Sequence, residues 1–478
     1  MIRRIAALTL ALLTAVTLAQ ADPLGVWRGA IGPDVIDLEV RVTIAVDEDG
    51  SGLTGAIDIP AQGLVGYGLV NVVLDGDALS FTMPDVPGDP TFDGVIDGDR
   101  LAGAYIQGGQ EIAFALERDA EPTALRPQEP LPPFPYDEEE VAFASGEVTL
   151  AGTFTLPPGD ARVPGLLLIT GSGPQDRNQE ILGHKPFLVI ADHLTRAGYA
   201  VLRVDDRGVG GSTGSDELAT FDDLLGDVLA GVELLRAHPR VDADRVGLLG
   251  HSQGGIVAPP AALAADGDVA FTILMAGPAV DGFSSLRAQN ERVIELTMRA
   301  ADPDVSEADI AATVTSQVAF LEALYPLLES EDLEGARALV RERIETELAA
   351  LPAEQRPDEA SLAAMIEANQ EGVVAPGFRA FLLFDPQPHL RQLTVPTLAL
   401  FGGLDAQVIA EQSEGPMREA LAAAGNPDAT VITFPGVNHL MQPALTGGLD
   451  EYGVIETTID PAVLATITQW LQERFPSR

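Results

Sequence analysis

Gly250-His251-Ser252-Gln253-Gly254 is the stretch that most constrains the fold of this chain. It is a G-x-S-x-G pentad set between an apolar run, Arg245-Val246-Gly247-Leu248-Leu249, and Gly255-Ile256-Val257-Ala258, which opens a helical stretch. A buried strand running straight into a helix leaves room for one tight turn. Glycines on either side of the serine allow the strained backbone angles that such a turn needs. The serine hydroxyl is then expected to project above the edge of a sheet. The pattern alone is weak, because glycine supplies 48 of 478 residues and a second match occurs at Gly210-Gly211-Ser212-Thr213-Gly214. Context separates the two. Ser212 follows Gly208-Val209-Gly210-Gly211, a loop composition with no abutting strand, and reads as structural.

Apolar runs at 165–169, 200–204, 246–249 and 271–275 alternate with helical patterns at 187–197 and 221–238. That order predicts an α/β fold with a mostly parallel sheet and helices on both faces. Between residues 281 and about 392 the alternation gives way to helices. Ser306-x-x-Asp309 reads as a capping box, and Ile310, Val314, Val318, Leu321, Leu324 and Leu328 share one helical face. Further helices are expected at 333–351 and 361–369. An insertion this long is no plain loop and reads as a helical cap over the C-terminal edge of the sheet. The sheet resumes at 397–401 and 430–434, with helices around 417–424 and 462–475.

Residues 22–118 read as a small all-β domain, a sandwich or barrel. Runs at 35–42 and 79–83 alternate in part, and turn pairs recur at Asp49-Gly50, Asp75-Gly76, Asp97-Gly98 and Gly108-Gly109. No acid, base and nucleophile cluster there, so this module is expected to be structural or gating. Residues 119–137, with Pro122, Pro127, Pro130, Pro132, Pro133 and Pro135, read as a semi-rigid linker into a second unit at 138–478. Residues 1–21 have the form of a signal peptide: Arg3-Arg4, an apolar 5–18, then Ala19-Gln20-Ala21. The protein is expected to be exported, to the periplasm or beyond. No later run approaches 18 apolar residues, so no membrane span is expected. With no cysteine there is no disulfide, thiolate metal site or Cys nucleophile. Seventy-two acidic against 28 basic residues, net −44, exclude nucleic acid and anionic membrane surfaces as partners. Lys185 is the only lysine, a composition suited to a saline exterior.

A serine hydroxyl needs a base to take its proton and a third group to hold that base. Of six histidines, His439 lies in Gly436-Val437-Asn438-His439, just after the last predicted strand. A loop there opens on the same sheet edge as Ser252. His251 adjoins Ser252 on the turn, which points its side chain elsewhere. His184, His193 and His238 sit before or within early helices, and His389 lies near the end of the cap. The orienting acid is expected after the preceding strand, where Phe401-Gly402-Gly403-Leu404-Asp405 supplies Asp405; Glu411 and Glu414 are the alternatives. An oxyanion hole requires two converging N–H groups. One is Gln253, just after the serine. The other comes from the Gly-rich loop at 170–178, where Ser172 is the candidate. Neither a cofactor nor a metal is expected.

Together these motifs resemble the α/β-hydrolase superfamily, more narrowly the bacterial esterases of the serine aminopeptidase-like branch, some with an extra N-terminal β-domain. The matching segments are Thr170-Gly171-Ser172-Gly173-Pro174, Asp205-Asp206-Arg207-Gly208-x-Gly210-x-Ser212, the Ser252 pentad, Asp405 and Asn438-His439. They span residue 138 to the C-terminus. Thr170 stands where the family usually has a histidine. The resemblance implies the order nucleophile, acid, base for Ser252, Asp405 and His439. It also implies that Asp205 and Arg207 brace the loop that holds Ser212. The expected activity is hydrolysis of small acyl esters through an acyl-enzyme. One rival is an aminopeptidase on the same triad, with Glu291 and Glu295 binding a substrate ammonium. Another is a non-catalytic binding protein on the same scaffold.

Overall fold

The structure is a computed structural model. It describes residues 23–477 apart from 33–37, 47–51, 60–63, 85, 87, 89, 119–125, 216–218, 350–355 and 358. The leader at 1–21 and the Asp49-Gly50 turn lie outside the described residues. The chain divides into two compact units, with the boundary between Leu125 and Arg126.

The first unit is a closed barrel of eight strands: β1 Gly25–Ile31, β2 Leu38–Val46, β3 Leu53–Ile59, β4 Leu64–Asp75, β5 Ala78–Thr82, β6 Thr91–Asp97, β7 Arg100–Gln107 and β8 Gln110–Arg118. Each strand pairs antiparallel with the next, and β8 closes on β1. Closure removes both sheet edges. Of the two architectures left open by the sequence, this is the barrel. Alternation does the work: in β6, Phe92, Gly94 and Ile96 are buried while Asp93 and Val95 face out. An eight-stranded barrel is just wide enough for side chains to fill. Here Trp27, Ile57, Phe81, Phe92 and Phe114 fill it, with Phe81 stacked on Phe92 at 4.8 Å. Gly108 and Gly109 both take positive φ, 58° and 81°, as the tight β7–β8 hairpin requires.

The second unit carries an eight-stranded sheet formed by β9 Asp137–Ser145, β10 Val148–Leu156, β11 Val163–Ile169, β12 Ala200–Val204, β13 Val241–His251, β14 Phe271–Met275, β15 Thr397–Gly402 and β16 Ala429–Phe434. The order is β16-β15-β14-β13-β11-β12-β10-β9. From β16 to β12 all pairings are parallel; β10 joins antiparallel to both β12 and β9. Central strands such as β11 (Val-Pro-Gly-Leu-Leu-Leu-Ile) are buried along their whole length because helices cover both faces. Those helices are α1 Pro186–Arg196, α2 Phe221–Ala237, α3 Gln253–Ala264, α10 Ala410–Ala423 and α11 Pro461–Arg474. The hairpin of β9 and β10 carried no sequence signal, since its first strand opens Asp-Glu-Glu-Glu and lies exposed at the sheet edge. Helix α10 begins well before residue 417 because it runs through Pro416 rather than starting at it.

Between β14 and β15 lies the helical insertion: α4 Gly282–Ala301, α5 Glu307–Glu329, α6 Leu333–Ala349, α7 Glu359–Val374, α8 Pro376–Leu383 and α9 Gln387–Leu390. Both its ends are tied together, with Gly282 N–H donating to Phe384 O at 2.9 Å. Helix α5 has the length and mean hydropathy of a membrane-crossing helix. Its apolar side is used within the cap, where Ile310, Val318, Leu321, Leu324 and Leu328 are buried. The later part of the segment expected to be an extended linker is docked on this unit. Arg126 donates to the carbonyls of Leu182, Gly183, Gly453 and Ile455, and Gln128 accepts from Thr458 and Ile459 N–H.

Candidate active site

Strand β13 delivers the pentad. Ser252 follows its last residue with φ 54° and ψ −115°, a left-handed conformation for a non-glycine residue. Its N–H donates to Met275 O, and its carbonyl accepts from Gly255 N–H, both at 2.9 Å. Two glycines make this possible. A Cβ on Gly250 would stand 2.1 Å from Gly254 O, and one on Gly254 would stand 2.3 Å from Ile169 O. Strain of this kind persists only where the surroundings over-determine it. Among the described residues the Ser252 hydroxyl engages no hydrogen-bond partner, His439 included.

Asp405 lies just past β15 and His439 past β16. His439 Nδ1 is 2.9 Å from Asp405 Oδ2 and 3.1 Å from Oδ1. The carboxylate also accepts Gln407 and Val408 N–H, each at 2.8 Å. Both side chains are buried. An acceptor-only carboxylate takes the Nδ1 proton, which leaves Nε2 of the neutral ring as a bare lone pair. Asn438 holds the loop by exchanging two hydrogen bonds with Gln442, at 2.9 and 3.0 Å. Glu411 is exposed, and Glu414 binds Thr433 and Arg418, so neither is the partner of His439.

The loop carrying Ser172 abuts the elbow: a Cβ on Gly171 would lie 3.5 Å from Ser252 Cβ. Asp206 braces this loop, accepting from Thr170 Oγ1 at 2.7 Å and from Gln175 N–H at 3.0 Å. Gln253 is the first residue of α3, so its N–H has no intrahelical acceptor and sits at the positive end of the helix dipole. Ser172 N–H likewise has no protein acceptor among the described residues. A cavity of about 70 Å³ is lined on one side by Leu167, Leu224, Val228 and Val257, on another by Asp205, Asp206, Arg207 and Asp227, and by Gly171 and Gln253.

The second pentad is plainly different. Ser212 is buried, donating to Asp205 O at 2.8 Å and accepting Ala151 N–H at 2.9 Å. Asp205 does brace its loop, accepting Gly211 N–H at 2.9 Å, and it also pairs with Arg177. Arg207, in the same loop, ties it to α2, pairing with Asp223 and Asp227 at 3.0 and 2.6 Å. Glu291 and Glu295 are committed to Arg287 and Arg299 one turn away on α4. No group of three or more potential ligands is arranged for a metal among the described residues.

Two residues escaped sequence reasoning. Gln179 is buried with φ 51°, and His251 is buried beside it; His251 was discounted because it turns away from Ser252. Their side chains meet at 2.7 Å across 72 residues of sequence, a separation that no local pattern reveals. Elsewhere, burial pushes the His184 imidazole down to about 4, where it bonds Thr458 and the Tyr452 carbonyl.

Sheet order, the strained serine turn and the long helical insertion after β14 are those of the α/β-hydrolase fold. Residues 186–319 match the family described as serine aminopeptidase, S33; this span includes Ser252 but stops before Asp405 and His439. The esterase EstD of Thermotoga maritima is 26% identical over 322 residues, covering 67% of this chain and 65% of that protein. The chain thus matches just under two thirds of that relative's length. Among solved structures, an esterase of Pyrococcus furiosus is 15% identical with TM-score 0.43, covering 71% of this chain and 92% of its own. An α/β hydrolase from Penicillium is 19% identical with TM-score 0.42, covering 71% and 99%.

Proposed function

We propose that this chain is an exported serine carboxylesterase acting on small acyl esters, with Ser252 as nucleophile, His439 as base and Asp405 as its orienting acid. The observation that carries the reading is the buried Asp405–His439 pair at 2.9 Å, on the strand-end loops that follow the Ser252 elbow in the sheet. Nε2 of His439 takes the hydroxyl proton as Ser252 Oγ attacks the ester carbonyl carbon. The resulting oxyanion is received by the N–H groups of Ser172 and Gln253. Collapse breaks the bond to the alcohol, which leaves with the proton from His439. Water, deprotonated by the same imidazole, then releases the acid and restores Ser252. The open contact between Ser252 and His439 fits a hydrogen bond that forms when substrate arrives. The leucine and valine side of the cavity beside Gly171 and Gln253 suits a short acyl chain. Glu291 and Glu295, the carboxylates expected to hold a substrate ammonium, face Arg287 and Arg299 on the exposed surface of α4.

The test pairs a fluorophosphonate probe with a substrate panel. The probe is expected on Ser252 by peptide mapping, and p-nitrophenyl esters of short acids should be turned over well ahead of aminoacyl-anilides. Labelling of another residue would remove the nucleophile assignment. Faster cleavage of anilides would turn the reading to an aminopeptidase.

A further inference from the structure

Behind the elbow runs a continuous chain of hydrogen bonds. Gly171 N–H donates to Gln179 Oε1 at 3.2 Å, Gln179 Nε2 meets His251 Nδ1 at 2.7 Å, and His251 Nε2 meets the carbonyl oxygen of His439 at 2.9 Å. Its polarity is dictated from both ends. A backbone N–H only donates, so the Gln179 oxygen must face Gly171 and its NH₂ must face His251. A backbone carbonyl only accepts, so His251 must carry its proton on Nε2 and offer a lone pair at Nδ1. Only one tautomer of His251 and one orientation of the Gln179 amide satisfy every group. Both side chains are buried, and the His251 ring lies against the His439 ring with centroids 4.9 Å apart.

We infer that Gln179 and His251 are positioning residues that lock the oxyanion loop and the base loop to each other across the back of the nucleophile elbow. The inference rests on the proposed roles of Ser252 and His439. Gly171 immediately precedes the oxyanion candidate Ser172, and the carbonyl held by His251 belongs to the base itself. Neither side chain is needed at the reacting atoms; together they set the separation of two loops that are. The left-handed backbone of Gln179 shows that its place is held against local preference. The chain also requires His251 to stay neutral, since a proton on Nδ1 would oppose the Gln179 amide. Burial, and next the nearby His439, push its imidazole down to about 3.

The decisive experiment measures kcat and KM on a p-nitrophenyl ester, melting temperature, and imidazole ¹⁵N resonances for full-length wild type, Gln179→Ala, Gln179→Glu and Ser252→Ala. Gln179→Ala is expected to lower kcat about 10- to 100-fold with KM changed less than about threefold, as a sub-ångström misplacement of reacting groups does. In wild type, His251 should give the pattern of a neutral ring protonated at Nε2 alone, and Gln179→Ala should lose it. Gln179→Glu keeps the volume and the acceptor for Gly171, so it covers the case in which the alanine variant does not fold. Its carboxylate draws a proton onto Nδ1, and the charged His251 ring, 4.9 Å from that of His439, then weakens the base, so kcat should fall likewise. Wild-type kcat in either folded variant, or a loss confined to KM, would overturn the inference. Turnover by Ser252→Ala would instead overturn the nucleophile reading, independently of what Gln179 does.

Discussion

Two copies of one five-residue pattern sit in the same unit and meet opposite fates. Ser212 lies in a loop after β12, its hydroxyl spent on Asp205 O and Ala151 N–H. Ser252 lies at the abrupt end of β13, at φ 54°, with its hydroxyl engaged by nothing among the described residues. The glycines of the two pentads differ in the same sense. At Gly250 and Gly254 an added Cβ would collide with backbone oxygens of the elbow and of β11, whereas at Gly210 it would meet the Asp205 carboxylate. Glycine-flanked serine is therefore no chemistry in itself. A buried strand that stops dead against a helix start strains the serine and exposes it. A loop with room to turn satisfies the serine instead.

That contrast is open to attack at several points. The largest effect is expected from Ser252→Ala, which should cut kcat roughly 10⁴- to 10⁶-fold while the melting curve stays put. If Ser252→Ala retains turnover, the two pentads are equivalent after all. Asp405→Asn should follow, with about a 10⁴-fold loss in kcat from a mis-set His439 tautomer, read by steady-state kinetics. Gly254→Ala tests the strain itself. Its Cβ would press on Ile169 O and Thr170 O, destabilising the unit by about 3 kcal/mol or more in denaturant titrations.

Acid should separate the two regions as well. Behind the base loop, where it bonds Gln442 and the Tyr452 carbonyl, His184 is held at about 4 against an ordinary value of 6.5. A histidine lowered on folding stabilises fully above its unfolded value, and that contribution is lost as pH falls from about 6.5 towards 4. His184→Asn should therefore flatten the melting temperature across that window. On the Ser212 side, Asp205 is held below the usual carboxylate range, with burial opposed and outweighed by its bonds from Arg177 and the Gly211 and Arg177 N–H groups. Its contribution is present above its ordinary 3.8 and is lost only at lower pH. The smallest effect should be that of Ser212→Ala. It strands Ala151 N–H without its acceptor and lowers stability by about 1–3 kcal/mol, with kcat unchanged. Loss of fluorophosphonate labelling in Ser212→Ala would collapse the comparison from the other side.

Much of the architecture was legible before any coordinates. Apolar runs of buried-strand length located β11 to β16, and the helical face from Ile310 to Leu328 located α5, because burial on both sides of a parallel sheet or on one face of a helix leaves a period in the chain. The hairpin of β9 and β10 was not legible, since an exposed edge strand beginning Asp-Glu-Glu-Glu carries no such period. The docking of residues 126–136 was hidden for a related reason. Proline-rich composition declares an extended backbone but not what it binds, and Arg126 finds its carbonyls at positions 182, 183, 453 and 455. The partners of Arg207 were hidden in the same way: its motif places it near Ser212 in sequence, while α2 offers the two carboxylates that hold it.

By itself the sequence determined the alternation of strands and helices, the interruption by a helical cap, the run of short strands and turns at the start, and which serine of two adjoins a strand. These are local properties, written in periods of two and 3.6 residues and in the residues that turns demand. Tertiary structure alone decided that the first unit closes as a barrel and that Asp405 meets His439. It alone decided that Gly171, Gln179, His251 and the His439 carbonyl form one polarised chain. Each of those outcomes depends on hydrogen-bond partners brought together from remote positions, where direction and distance, not residue type, settle what a side chain does.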